Sequence, residues 1–454
     1  MFGGAIVGRA HELAIVDEAV ARALRGERAV VMLSGEPGIG KSRLLDEVAA
    51  RIRAAGGSAA WGRSAEVGLT PAFWPWIQIL AAVEAPDERA PDLTSFDQRT
   101  DAAARLARFE EVAAFVGRRA RRGPLALLVD DAHAADLASL QLLEYVLPRL
   151  SGIVVAIATR DTDATPAVAA VLGRIQRNTR RLPLARLGRD EVITLVGERV
   201  TAQASARIWE LTEGNPLFVE ELVESLGTSG VVQLPQVSSV RALIRERIAQ
   251  LEVAAPVLTA AALVGREFRG AVVADMLGVG DAEVATRLDP AIRLGMVALV
   301  TGDRYRFSHA LIAEALGDEL EPSERARLHL RAAQAIERRD GSEPAAVAHH
   351  LLAAGYLAAE AAVVAAERAA ASAMARLGFE DAAALLERAG AALALAAPND
   401  RSRRAALECA HAEALHHAGD HVRANELCDG AARIARELGD PEMLARIALA
   451  RGLE

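Results

Sequence analysis

The chain has 454 residues, of which 52% are hydrophobic and only 4% aromatic, and a formal net charge of −9. Alanine supplies much of the apolar share, which favours close-packed helices over a β-rich fold, and the length suits about three domains. The negative balance argues against a general nucleic-acid or anionic-membrane surface, and neither a membrane span nor a signal peptide is legible, so a cytoplasmic protein is expected. Cys409 and Cys428 lack metal-ligand spacing and read as reduced thiols in one late helical region.

Taken in order, Val7-Gly8-Arg9-Ala10-His11-Glu12-Leu13 opens an amphipathic helix reaching about Arg25. Residues 29–34 form a short apolar run of buried-strand type. They lead into Gly35-Glu36-Pro37-Gly38-Ile39-Gly40-Lys41-Ser42-Arg43, which fits G-x-x-x-x-G-K-[ST], the phosphate-binding loop of nucleotide triphosphatases. Glycines at 35, 38 and 40 let backbone N–H groups turn inward around phosphates, and the helix starting near Lys41 adds its positive end. Lys41 is expected to reach the β- and γ-phosphates and Ser42 to bind Mg2+.

A second βα unit follows, with a strand over 58–63 and a helix entered through Pro71-Ala72-Phe73-Trp74-Pro75-Trp76 and ending at Val83. The aromatic cluster there reads as packing, with a ligand site as the alternative. Residues 84–100 form an acidic loop, and helical spacing resumes over 102–118. Next comes Leu125-Ala126-Leu127-Leu128-Val129-Asp130-Asp131-Ala132-His133-Ala134-Ala135-Asp136, a strand buried on both faces with acids at its carboxyl end, where parallel sheets bind ligands. This is a Walker B pattern: Asp130 for the magnesium, Asp131 to orient or deprotonate water. His133 reads equally as a structural hydrogen-bonder or an active-site residue. A third buried strand over 153–158 ends in Thr159-Arg160, where Arg160 can read a γ-phosphate bidentately. Residues 182–187 are expected to supply the last strand.

Beyond this, Asp190-Glu191 caps a helix expected through Val200, and another covers 205–212. Gly214-Asn215-Pro216 breaks the pattern and restarts it over 217–226. Residues 227–239 read as a linker. Helices are expected over 240–251, 255–263, 270–277 and 281–294, with a turn at 265–268. Val297-Ala298-Leu299-Val300 and Tyr305-Arg306-Phe307 flank a Thr301-Gly302-Asp303 turn, a winged-helix pattern. Its recognition-helix candidate mixes Asp281, Glu283 and Asp289 with Arg287 and Arg293, a poor footprint for phosphate contacts. From Pro322 helix follows helix. Gly378 to Ala391 and Gly419 to Leu438 share a small-residue pattern akin to tetratricopeptide repeats, spaced more widely than that repeat. The chain stops straight after an apolar helix, which reads as truncation or a naturally short member.

These stretches, VGR at 7–9 with Glu12, GEPGIGKSR at 35–43, LLVDDAHAAD at 127–136, ATR at 158–160, GNPLFVEELV at 214–223 and FSHALIAEAL at 307–316, resemble the AAA-type ATPase module of the STAND class, as found in large ATP-binding LuxR-type transcriptional regulators. The resemblance implies ATP/ADP and Mg2+ as ligands. It implies base contact from Val7, Gly8 and Arg9, Pro216 of a helical lid against base and ribose, Arg160 as the sensor arginine, and His309 as the counterpart of the MHD histidine that contacts the ADP β-phosphate in NB-ARC switches. Pro37, Ile39 and Arg43 join the loop contacts. The family's usual tryptophan in the Walker B extension is Ala134 here, which puts the packing it provides in doubt.

The expected architecture is an α/β P-loop NTPase domain over 1–188, with a parallel sheet and helices on both faces, a helical lid over 189–230, a winged-helix domain over 231–320 and an all-α repeat-like domain over 321–454. The expected function is a slow ATPase acting as a signalling switch. It would be ADP-bound and off at rest, opened by an inducer on the helical domain, and self-associating with ATP, with DNA reached only through a module not visible in this chain. The alternatives are direct DNA binding through the winged helix, and a housekeeping ATPase or kinase.

Overall fold

Short apolar runs alternating with amphipathic helices leave a chain one economical solution, a parallel sheet covered on both faces. The computed structural model describes residues 6–451 except 65–70, 95–101, 161–163, 178, 198–199, 201, 230–247, 249–250, 252, 309, 319 and 341–343. Strands β1 (Arg28–Ser34), β2 (Ser58–Arg63), β3 (Leu125–Asp130), β4 (Ile153–Thr159) and β5 (Arg180–Pro183) pair in parallel in the order β2-β3-β4-β1-β5. β3 and β4 are buried at every position. Alternate side chains serve opposite faces. Ala126, Leu128, Val154 and Ala156 meet α1 (Ala10–Leu24) and α2 (Lys41–Ala54), while Leu127, Val129, Val155 and Ile157 meet α3 (Trp74–Val83), α4 (Ala102–Arg122), α5 (Leu137–Val146) and α6 (Pro166–Gln176). Ser34 pairs with Thr159, so β1 and β4 end level at the edge that also receives Asp130.

The aromatic cluster before α3 is packing. Phe73 and Trp76 are fully buried, and the Trp76 indole donates to the Ser139 carbonyl at 3.0 Å. Two boundaries differ from expectation. The helix expected to stop at Arg118 runs to Arg122, and the last strand covers Arg180–Pro183 rather than 182–187. β5 is an edge strand in which only Leu182 is buried, so it shows no apolar run to read.

Helices α7 (Arg189–Val196), α8 (Ala202–Thr212) and α9 (Pro216–Ser229) close a small core of Leu187, Val192, Ile208, Val219 and Leu222. α7 stops short of Val200 because Gly197 turns the backbone to φ 59°. α9 takes in 227–229 of the stretch read as a linker; 230–239 and most of the helix expected over 240–251 lie outside the described residues.

Next come α10 (Ala255–Val264), β6 (Glu267–Arg269), α11 (Gly270–Leu277), α12 (Asp281–Arg293), β7 (Val297–Thr301), β8 (Arg304–Phe307) and α13 (Ala310–Asp318). The turn expected at 265–268 is in fact the start of a strand. β6 pairs antiparallel with β8 to give the order β6-β8-β7, and the buried Phe268 stacks on Tyr305 with centroids 5.6 Å apart. The chain ends in α14 (Pro322–Asp340), α15 (Pro344–Ala353), α16 (Ala359–Ala375), α17 (Phe379–Ala396), α18 (Arg401–Ala418), α19 (His421–Leu438) and α20 (Pro441–Arg451). Alanine permits the close approach: α16 buries Ala362, Ala365, Ala366, Ala369 and Ala370 in one stripe. Cys409 and Cys428 are free and buried in this stack, where burial pushes both thiols up. One apolar core runs continuously from Leu217 to Ala450, so the three-stranded unit and the helical stack are packed as a single body. Among the described residues no helix is long and apolar enough to cross a membrane.

Candidate nucleotide site

The loop leaving β1 owes its shape to its glycines. Gly35, Gly38 and Gly40 have φ of 149°, 76° and 103°, a region costly for residues with a Cβ. Gly38 is also crowded, since a Cβ there would lie 2.6 Å from the Leu217 side chain. At Gly40 a Cβ would meet nothing within 4 Å, so the residue opens the cradle rather than filling it. Gly40 is also the N-cap of α2, and having no side chain it leaves the first-turn N–H groups facing the cradle.

Lys41 is buried and donates from Nζ to the carbonyls of Gly35 and Glu36, both at 2.8 Å, which holds its ammonium inside the loop. The Ser42 hydroxyl donates to Asp130 Oδ2 at 2.9 Å. Asp130 Oδ1 accepts the Asp131 N–H at 3.1 Å. Burial, then the neighbouring Asp131 charge, pushes the Asp130 carboxyl above the usual range, with Ser42 opposing. Two adjoining acids beside a hydroxyl, one of them destabilised as an anion, are the donor set a hard dication would relieve, so Ser42 and Asp130 fit Mg2+. Asp131 has φ 51° and accepts from Arg266 Nη1 at 3.4 Å. Arg160 stands half-buried just past Thr159 at the end of β4, one strand from Ser34. His133 is buried.

Beside the loop opens a small cleft of about 60 Å³ lined by Val7, Arg9, Ile39, Gly40, Arg43 and Pro216, together with Ile6, Leu44, Leu187, Leu195 and Glu220. The structure thus gathers in one place residues more than 200 positions apart in sequence that had been assigned to base, ribose and phosphate. Arg9 lies in the wall rather than the opening. It is buried, donates to the carbonyls of Ala185 at 2.7 Å and Ile39 at 3.1 Å, and burial pulls its pKa down against Glu12 and Glu191. Gly8 is constrained as well: a Cβ there would fall 2.7 Å from the Glu191 carboxyl carbon. His309 lies outside the described residues.

Three residues were not singled out as site residues. Asn215, almost fully buried, donates from Nδ2 to the Pro37 carbonyl at 3.0 Å, and next to it the Leu217 N–H donates to the Gly38 carbonyl at 3.3 Å. Gly214 is pressed so tightly that a Cβ would sit 2.0 Å from the Leu187 carbonyl oxygen. Arg186 pairs with Glu36 of the loop at 2.7 Å and with Glu213 before the turn. What reads in sequence as a Gly-Asn-Pro turn joins the helices α7 to α9 to the phosphate loop.

Residues 5–155 match the family model of the AAA ATPase domain. An AAA ATPase domain implies nucleotide binding, and the match spans the loop at 35–43 and the acids at 130–131. An uncharacterized protein of Rhizobium meliloti (strain 1021) is 24% identical over 413 residues, 78% of this chain and 40% of that protein, so the chain spans about two fifths of this curated relative's length. Among solved structures, a Signal Transduction ATPase with Numerous Domains (STAND) protein with a tetratricopeptide repeat sensor from Pyrococcus horikoshii is similar over 98% of this chain and 67% of its own, at 17% identity and a TM-score of 0.51. That likeness is one of fold.

Proposed function

We propose that the chain is the ATPase and sensor part of a nucleotide-dependent signalling switch of the LuxR-type regulators, off with ADP and on with ATP. The observation that carries this reading is the bonding of the lid to the phosphate loop itself, Asn215 to Pro37 and Leu217 to Gly38. A loop that changes with the number of phosphates it holds then moves the elements downstream of it. The fold likeness to a STAND protein with a tetratricopeptide repeat sensor supports the same reading.

In this reading the chain divides into the ATPase core at 1–188, the lid at 189–230, a winged-helix unit at 231–320 and the helical sensor from 321 on. Val7, Gly8 and Arg9 contact the base, Pro216 packs on base and ribose, and Arg43 joins the loop contacts. Gly35, Pro37, Gly38, Ile39 and Gly40 cradle the phosphates, and Lys41 leaves its two carbonyls for the β- and γ-phosphates. Ser42 and Asp130 hold Mg2+, which supplies charge neutralisation to the transferring phosphoryl group when bound. Asp131 orients or deprotonates the attacking water, and Arg160 donates to the γ-phosphate. The inducer acts on the helical stack, the ATP form self-associates, and the output is transcriptional in the cytoplasm. Direct DNA reading by α12 is disfavoured, because its Asp281 is tied to Arg339 of α14 at 3.2 Å and its Arg287 to Glu283.

The test is the nucleotide carried by the purified protein, read by mass spectrometry, beside calorimetry of Lys41→Ala. Tightly held ADP, lost with Lys41→Ala while the fold survives, is the expected result. An empty wild-type site, or unchanged affinity in the variant, would overturn it.

A further inference from the structure

Among the described residues, the body that runs from the three-stranded unit to the last helix meets the ATPase unit at both ends of the stretch 131–141, which begins with the candidate acid Asp131, and at Ala72 and Arg105 beside it. At its start, Arg266 donates from Nη1 to Asp131 Oδ2 at 3.4 Å. Arg266 sits between α10 and β6, and its carbonyl accepts the Phe307 N–H at 2.9 Å. That bond fixes its backbone in the three-stranded unit and leaves the long side chain to cross to the other unit.

A few residues on, Asp136 caps α5, its Oδ1 accepting the N–H groups of Ser139 at 2.8 Å and Phe73 at 3.1 Å. The N-terminus of α17 lands here. Gly378 comes so close that a Cβ on it would lie 2.8 Å from the Ala72 methyl. Glu380 accepts from Arg105 Nη1 at 3.1 Å through both oxygens and from Gln141 Nε2 at 2.8 Å, with Arg105 and Glu380 only 10% and 13% exposed. Phe379 lies beneath the Arg105 guanidinium, 5.4 Å from ring centroid to carbon. Asp381 adds a second carboxyl beside Asp136, its Oδ2 shut off from solvent; burial, then Asp136 and Glu380, push it well up.

We propose that residues 131–141 are where the sensor is read: while docked, the body grips this stretch at both ends, and Arg266 takes Asp131 out of service, so hydrolysis waits for undocking. The proposal rests on the ATPase reading above. A base needs a carboxylate lone pair aimed at the water and enough basicity to take its proton. A guanidinium on Oδ2 occupies that oxygen, so its lone pair is engaged by Arg266 rather than aimed at a water. Arg266 acts here as a positioning residue, through Asp131 and without touching substrate.

The experiment uses the full chain and two readouts, ATP turnover and amide hydrogen exchange over 131–141, for wild type, Arg266→Ala, Arg266→Lys, Glu380→Lys and the control Arg269→Ala. Arg269 pairs with Asp303 within the same unit. Arg266→Ala should raise turnover roughly two- to five-fold, the scale of a half-exposed ion pair, without changing ATP affinity, and should speed exchange at 131–136. Arg266→Lys keeps the charge and should stay near wild type. Glu380→Lys sets like charges against Arg105 and should speed exchange over the whole stretch with turnover again rising, and Arg269→Ala should change neither readout. Unaltered exchange in both Arg266→Ala and Glu380→Lys would overturn the grip whatever the nucleotide does. Faster exchange with lower turnover in Arg266→Ala would overturn the inhibitory role and make the arginine a stabiliser of the transition state. Failure of the wild-type chain to bind ATP in calorimetry is a different outcome: it removes the ATPase reading, and the exchange data still decide the grip.

Discussion

Two of the joints between the ATPase unit and the rest of the chain are opposite in chemistry. At the lid, the partners are backbone carbonyls of Pro37 and Gly38 met by an amide side chain and an N–H, around a glycine with no room for a methyl group. At α17, the partners are charges, Arg105 and Glu380, with Asp136 and Asp381 packed beside them. The Asn215 and Leu217 bonds of the first joint involve no titratable group, although the ion pairs of Arg186 with Glu36 and Glu213 lie beside them. The second couples docking to charge and proton occupancy.

The comparison is broken most severely at Gly214. Gly214→Ala places a methyl group against the Leu187 carbonyl at a positive φ, and should destabilise the lid by more than about 4 kcal/mol, with nucleotide affinity lost alongside. Thermal unfolding with and without ADP checks it: the ADP-induced rise in Tm should vanish. At the other joint, Glu380→Ala leaves Arg105 nearly buried and unpaired, a loss of about 3–5 kcal/mol that denaturant unfolding should register while ADP still raises the Tm. A smaller effect is expected of Asn215→Ala, about 1–3 kcal/mol for a buried carbonyl left without its donor, and calorimetry should show it chiefly as weaker ADP binding.

Proton occupancy supplies the smallest and sharpest contrast. The Asp381 carboxyl is raised in the folded chain, so the native state keeps a proton that the unfolded chain releases. Stability from this joint is therefore greatest below the ordinary carboxylate range of about 4 and falls as pH rises towards the raised value. Asp381→Asn should flatten that slope in melting curves taken across this window. Asn215→Ala should leave the slope as it is, since no titratable group takes part in its bond.

These differences also explain what could be read from sequence. β3 and β4 stand out because strands buried on both faces must be apolar throughout, and the phosphate loop because its glycines are fixed by φ and crowding at set spacing. β5 and β6 are edge strands with a single buried residue each, Leu182 and Phe268, and nothing in their composition marks a strand. Asn215 follows a glycine and precedes a proline, so its turn-forming role hides its bond to Pro37. The pair Arg105 and Glu380 spans 275 positions, and an arginine on an amphipathic helix carries no mark of its partner. Arg9 was legible as a member of the site but not in its place: its guanidinium ties the loop to the chain beyond β5.

The unbroken core from Leu217 to Ala450 has a mechanical consequence. Among the described residues this core joins the three-stranded unit to the helical stack without a break, so Arg266 and Glu380 belong to one packed body. If the proposed undocking occurs, the two contacts, Arg266 with Asp131 and Glu380 with Arg105, are then expected to be lost together. Loss of one contact without the other, in hydrogen exchange, would show that the body yields within itself.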